Sequence, residues 1–151
     1  MGQFTLSAQF DCSPATLREY LGTTANFPSI TDPELEFEII EAPEIVTAGA
    51  EIAFSIITSG IRQVLRHRWT TVSDSQIVAE QVMGPTQSWN HDQTVSAVGG
   101  GCKLTETIVF EPPGGMLGFM VTEDAILQSL NSGTAIRHQL IAQQLIAEQL
   151  T

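Results

Sequence analysis

The chain has 151 residues, 42% hydrophobic and 15% charged, with 12 glycines and 7 prolines. That length and mixture suit one domain over residues 1–151 and exclude a collagen-like, low-complexity or disordered chain. Seventeen acids against six bases give a net charge of −11 with histidine neutral, which repels phosphate backbones and anionic lipid and argues against nucleic acid and membrane surfaces as partners.

Residues 3–10 alternate with period two and set Phe4, Leu6, Ala8 and Phe10 on one face of a first strand. Ser13-Pro14 is a helix start, because the hydroxyl accepts a backbone N–H and proline loses no bond at the first helical position. The helix predicted over 14–21 stops at Gly22, and Pro28 and Pro33 limit the stretch 23–33 to a second short helix or a turn. From Glu34 the period is two again. Leu35, Phe37 and Ile39 alternate with Glu34, Glu36 and Glu38, as in a strand whose acidic wet face discourages edge pairing.

Turns at 48–50 and at Gly60 bound a strand carrying Ile52, Phe54 and Ile56. A long strand over 61–72 sets Leu65, His67, Trp69 and Thr71 against Arg62, Val64, Arg66, Arg68 and Thr70. Ser73-Asp74-Ser75 turns the chain into a strand over 76–83, ended by Gly84-Pro85. A strand over 88–98 ends at Gly99-Gly100-Gly101. The strand over 102–111 carries Leu104, Glu106, Ile108 and Phe110 on one face before Pro112-Pro113-Gly114-Gly115.

The period then becomes 3.6, predicting one long helix over 123–149 with Glu123 and Asp124 at its positive end. Its apolar stripe runs Ile126, Leu130, Gly133, Arg137, Leu140, Ile141, so Arg137 falls within the buried face and Gly133 allows close approach to the sheet. The repeat from Gln139 to Glu148 has a five-residue period, which keeps no coiled-coil seam. The repeat is either chance or a second apolar face on the helix end for a partner, which leaves a homodimer open.

The expected architecture is α+β: a curved antiparallel sheet of about seven strands around a long C-terminal helix, with two short helices after the first strand. A curled sheet that grips one helix leaves a cavity between them. No apolar run reaches the roughly 18 residues of a membrane span. No basic n-region precedes Arg18, and Cys12 and Cys102 read as two thiols, so a cytoplasmic protein is expected.

Local motifs fit that order. Leu21-Gly22 with Asn26-Phe27-Pro28 and Asp32-Pro33, Gly84-Pro85 with Trp89 and His91, Glu106 to Phe110 followed by Pro113-Gly114-Gly115-Met116-Leu117-Gly118, and Arg137 with Ile141 together span nearly the whole chain. Their order and spacing resemble the START-like (SRPBCC) superfamily of helix-grip proteins. The resemblance implies a ligand cavity and a role among lipid or steroid carriers, polyketide cyclases and dehydrases, hormone receptors or chaperone activators. Thr86, Gln93, Val95, Ala79 and Glu106 depart from the usual residues at those positions, and Gly133 to Ile136 lack the usual aromatics before Arg137.

Glu106 and Arg137 are the first candidate pair. Each falls on an apolar face, and a buried charge without a partner is costly, so the two are expected to meet. They serve either as a polar anchor for a ligand carbonyl or carboxylate, or as an ion pair that fixes the helix on the sheet. His67 with Trp69, and Trp89 with His91, are candidate aromatic walls carrying an imidazole each, either wall residues or proton movers. Phe54, Met83 and Phe110 complete the candidate walls. No metal site or cofactor is expected, since His67, His91, His138, Cys12 and Cys102 show no ligand spacing. The Arg62, Arg66, Arg68 stripe reads as pairing with acids on neighbouring strands.

Three functions remain. The first is binding of an apolar small molecule of lipid, polyketide or aromatic type. The second is a cyclase- or dehydrase-like enzyme in which His67 or Glu106 moves a proton beside a carbonyl stabilised by Arg137. The third is an interaction module using the acidic strand face or the helix tail.

Overall fold

A computed structural model describes residues 1–150. The first strand, β1 (Gly2–Phe10), leads into helix α1 (Pro14–Leu21), whose N-cap Ser13 accepts from the Thr16 N–H at 3.1 Å. Leu17, Tyr20 and Leu21 are the buried side of this helix. Where a second short helix is predicted, the chain makes three single 3-10 turns, Thr24–Asn26, Pro28–Ile30 and Pro33–Leu35.

The last of these turns corrects the strand expected from Glu34. Pro33 pre-sets the turn, Asp32 accepts from the Glu34 N–H at 3.0 Å, and Glu36 takes a left-handed conformation (φ +45°). Proline and a side-chain cap override the period-two pattern locally. Strand β2 is therefore only Glu38–Glu41.

The remaining strands form a meander: β3 (Glu51–Thr58), β4 (Ile61–Val72), β5 (Gln76–Met83), β6 (Ser88–Val98) and β7 (Gly101–Glu111). The sheet order is β1-β7-β6-β5-β4-β3-β2, seven strands with antiparallel neighbours throughout. Two irregularities between β4 and β5, at Arg66/His67 and at Trp69/Thr71, add twist and bend. A one-turn helix, α2 (Leu117–Met120), fills the expected loop, and α3 (Glu123–Leu150) closes the fold. No helix among the described residues is long and apolar enough to cross a membrane.

Helix α3 covers one face of the sheet, but its buried line differs from the expected one. Thr134, His138, Ile141 and Leu145 are buried, while Arg137 lies at the flank, 20% exposed. Gly133 is not a close-approach site, because a Cβ there would meet nothing within 4 Å. The larger apolar cluster joins Leu17, Ile30, Trp69, Ile77, Leu104 and Ile141, and a smaller one joins Phe4, Ile108 and Phe110.

Candidate functional site

Strand β7 alternates strictly, so every second side chain points to the covered face, and Glu106 is among them. Its carboxylate is 1% exposed. Arg137 reaches it from α3, with Nε 3.0 Å from Oε1 and 3.1 Å from Oε2. His91 on β6 donates from Nε2 to Oε1 at 2.8 Å, and His138 donates from Nε2 to Oε2 at 2.6 Å. An ionised carboxylate only accepts, which fixes the hydrogen of each imidazole on Nε2. Arg137 Nη2 also donates to Gln93 Oε1 at 2.6 Å. Gln93 is the cross-strand partner of Glu106 in the β6–β7 register.

Burial by itself would raise the Glu106 carboxyl. The Arg137 guanidinium and the hydrogen bonds from His138 and His91 outweigh that and hold it well below the usual carboxylate range. The expected meeting of Glu106 and Arg137 is thus present, within a five-residue network. His138 and Gln93 were not singled out as members. The signal for His138 was spacing: it stands four residues after Thr134, three before Ile141 and seven before Leu145, the buried line of α3.

His67 has a different environment. Its Nε2 is buried and has no hydrogen-bond partner among the described residues. The Phe54 ring meets it edge-on at 5.0 Å. Burial, and then the nearby His91, push its pKa down to about 4, so the imidazole is neutral near pH 7. Trp69 is buried in the larger cluster, while Phe110 is fully buried with Trp89 tilted against it at 5.8 Å. Met83 is the exception among the expected wall residues. The first irregularity pairs it with Arg66, on the opposite face from His67, and leaves it 49% exposed.

The network sits where the two apolar clusters meet. On β7, Ile108 and Phe110 on one side of Glu106 belong to the smaller cluster, and Leu104 and Cys102 on the other side to the larger. Beyond it, no α3 side chain from Glu123 to Gly133 is fully buried, and the half-buried Ile126, Leu127 and Leu130 pack over the buried Phe4, Ile108 and Phe110. Leu6 and Trp89 are half-buried on the same cluster. Two surface hollows lie at the other end of the fold. One, of about 460 Å³, is lined by Gln9 to Asp11 and Val98 to Gly101, and the other, of about 120 Å³, by Gln9 to Cys12, Ala142, Leu145 and Ile146. None of the expected wall or anchor residues lines either hollow.

Two of the three arginines expected to pair along β4, Arg66 and Arg68, meet an acid on the neighbouring strand. Arg68 donates to Glu51 at 2.6 Å and Arg66 at 3.3 Å.

No family model matches the chain, and no curated protein matches it in sequence. Solved structures do match. A protein from Rhodobacter sphaeroides is 14% identical with a TM-score of 0.74, over 97% of this chain and 93% of that one. A major latex-like protein from Panax ginseng is 15% identical with a TM-score of 0.69, over 95% and 96%. The di-domain ARO/CYC protein StfQ of the steffimycin biosynthetic pathway is 13% identical with a TM-score of 0.73, over 93% of this chain and 49% of that one. At these identities the likeness shows the fold alone: seven antiparallel strands, a capped short helix after the first of them and a long closing helix make the helix-grip arrangement.

Proposed function

We propose that this protein binds an apolar small molecule, of lipid, polyketide or aromatic type, beneath the first three turns of α3. The observation that carries the reading is the incomplete apolar packing there: Glu123 to Gly133 bury no side chain fully, and Leu6, Trp89, Ile126, Leu127 and Leu130 lie only half-buried over Phe4, Ile108 and Phe110, a layer that a ligand could enter and complete. Trp89 and Phe110 would supply the wall, and the polar network around Glu106 the inner end. Neutral His67, with a buried nitrogen lacking a partner, would accept a hydroxyl from a ligand reaching that far, since satisfying a buried polar atom is worth about 1–3 kcal/mol. The solved structures of the same fold support a ligand role at the level of the superfamily only.

Binding is favoured over proton transfer at Glu106 by one feature. Its two oxygens already receive Arg137, His91 and His138, and its carboxyl is held well below the usual range, so it is a poor proton acceptor near neutral pH. Native mass spectrometry with fatty acids, steroids and flavonoids tests the reading. A one-to-one adduct that disappears in Leu130→Trp, with the fold retained by circular dichroism, is expected. No adduct with any of the three classes, or adducts indifferent to Leu130→Trp, would overturn it.

A further inference from the structure

The end of β1 and the start of β7 bring the chain's two cysteines together. Phe10 is the register partner of Cys102, and Cys12 follows two residues later in the bend before α1. The approach depends on Gly101, where a Cβ would run into the Phe10 carbonyl. Both cysteines are free thiols, and their Sγ atoms lie 3.8 Å apart. They differ in access. Cys102 is fully buried, whereas Cys12 is half-buried and lines the hollow of about 120 Å³ between β1 and the end of α3.

We propose that Cys12 is a peroxide-oxidation site and that Cys102 resolves it, so that the pair closes to an intramolecular disulfide. Hydrogen peroxide enters by the hollow. The Cys12 thiolate attacks one peroxide oxygen, the O–O bond breaks, and hydroxide leaves and takes up a proton, giving a sulfenic acid. The Cys102 sulfur then attacks the Cys12 sulfur. An S–S bond forms, the S–O bond breaks, and hydroxide departs with the Cys102 proton as water. Two thiols and one peroxide become one disulfide and two waters.

The geometry permits the closure. A disulfide needs its sulfurs at about 2.05 Å, and Cys12 lies in a bend outside the sheet ladder, so rotation about its Cα–Cβ bond can bring the sulfur across. Burial pushes the Cys102 thiol up to about 11, which leaves the accessible Cys12 as the first to react. The bond would tie the entry to α1 to the first residues of β7, next to Phe10, whose ring meets His138 edge-on at 6.4 Å. Oxidation would therefore stiffen one side of the Glu106 network.

The test is mild peroxide treatment of the reduced protein, then denaturation and alkylation. The expected product is monomeric, about 2 Da lighter by loss of two hydrogens, unreactive toward the alkylating agent and restored by dithiothreitol. A loop of this length predicts a melting temperature higher by about 10 °C. Two alkylatable thiols after treatment, disulfide-linked dimers, or Cys12 sulfinic acid with Cys102 still free would each overturn the proposal. In Cys102→Ala, folded by circular dichroism, Cys12 should accumulate as a sulfenic acid trapped by dimedone; a folded variant that traps none also overturns it.

Discussion

His138 Nε2 lies 2.6 Å from Glu106 Oε2, and it belongs to the residue directly after the arginine that neutralises the same carboxylate. Consecutive helical residues point about 100° apart, so two of them can converge on one buried group only at one rotation of the helix. Slip or roll of α3 would break at least one of these bonds. The network is thus a lock on how the helix lies on the sheet, whatever it also presents to a ligand.

That lock predicts strong, coupled effects. Glu106→Leu strands the Arg137 guanidinium and two imidazoles and should cost about 3–5 kcal/mol in urea denaturation. Adding Arg137→Met should recover part of the loss, with a coupling energy of about 1–3 kcal/mol in a double-mutant cycle. Additive effects of the two changes would show that the pair contributes nothing as a unit.

The lock was only partly legible in the sequence. Glu106 was, because Cys102, Leu104, Ile108 and Phe110 make the rest of its face of β7 apolar and a carboxylate there breaks the pattern. Arg137 was, because it interrupts an apolar helical line. His138 was hidden: the buried line of α3 includes Thr134 and His138, two polar residues that hydropathy assigns to the surface. Gln93 departs from the pattern the motifs resemble, and alternation alone does not show that it is the cross-strand neighbour whose Oε1 accepts a hydrogen bond from Arg137 Nη2.

The sheet was legible strand by strand because its turns carry glycine, proline or serine and its strands alternate. The failures came where a local device beat the period. Asp32 and Pro33 cap a turn and convert the front of the expected acidic strand into 3-10 geometry. The irregularity beside Arg66 shifts Met83 to the other face. No pattern of alternation encodes an extra residue inserted between paired strands.

Gly133 gives a simple test of the packing. It lies inside α3, it is half-buried, and a Cβ there meets nothing within 4 Å. Gly133→Ala should raise stability by about 1 kcal/mol through helix propensity and a less flexible unfolded chain. A loss of stability in thermal melting would mean that the flank beside Arg137 is already filled.

The β3–β4 hairpin turns on Ser59 and Gly60, both at positive φ (51° and 75°). That is the geometry of the turn that favours Asn-Gly, and serine bears a steric cost at the first of these positions. Ser59→Asn should stabilise the protein by about 0.5 kcal/mol. Ser59→Val should destabilise it by more, because a β-branched side chain resists positive φ. Equal melting temperatures for the two variants would argue against this turn.

Acid should weaken the fold over two separable pH windows. The folded-state pKa of His67 is about 4 against 6.5 for a free imidazole, so between those values the unfolded chain binds a proton that the native state refuses. Stability therefore falls as pH drops from 6.5 to about 4, by about 3 kcal/mol at the end of the window. Glu106 acts lower. Its folded pKa is depressed, so the stability it contributes is complete above its unfolded value of about 4.5 and is lost as pH falls toward the folded one. Urea midpoints measured from pH 7.5 down to about 3 should show both declines. His67→Phe should flatten the first and leave the second, because the ring is kept against Phe54 and only the refused proton is removed. An upper window unchanged in that variant would place the titrating group elsewhere and leave His67 protonated in the native state.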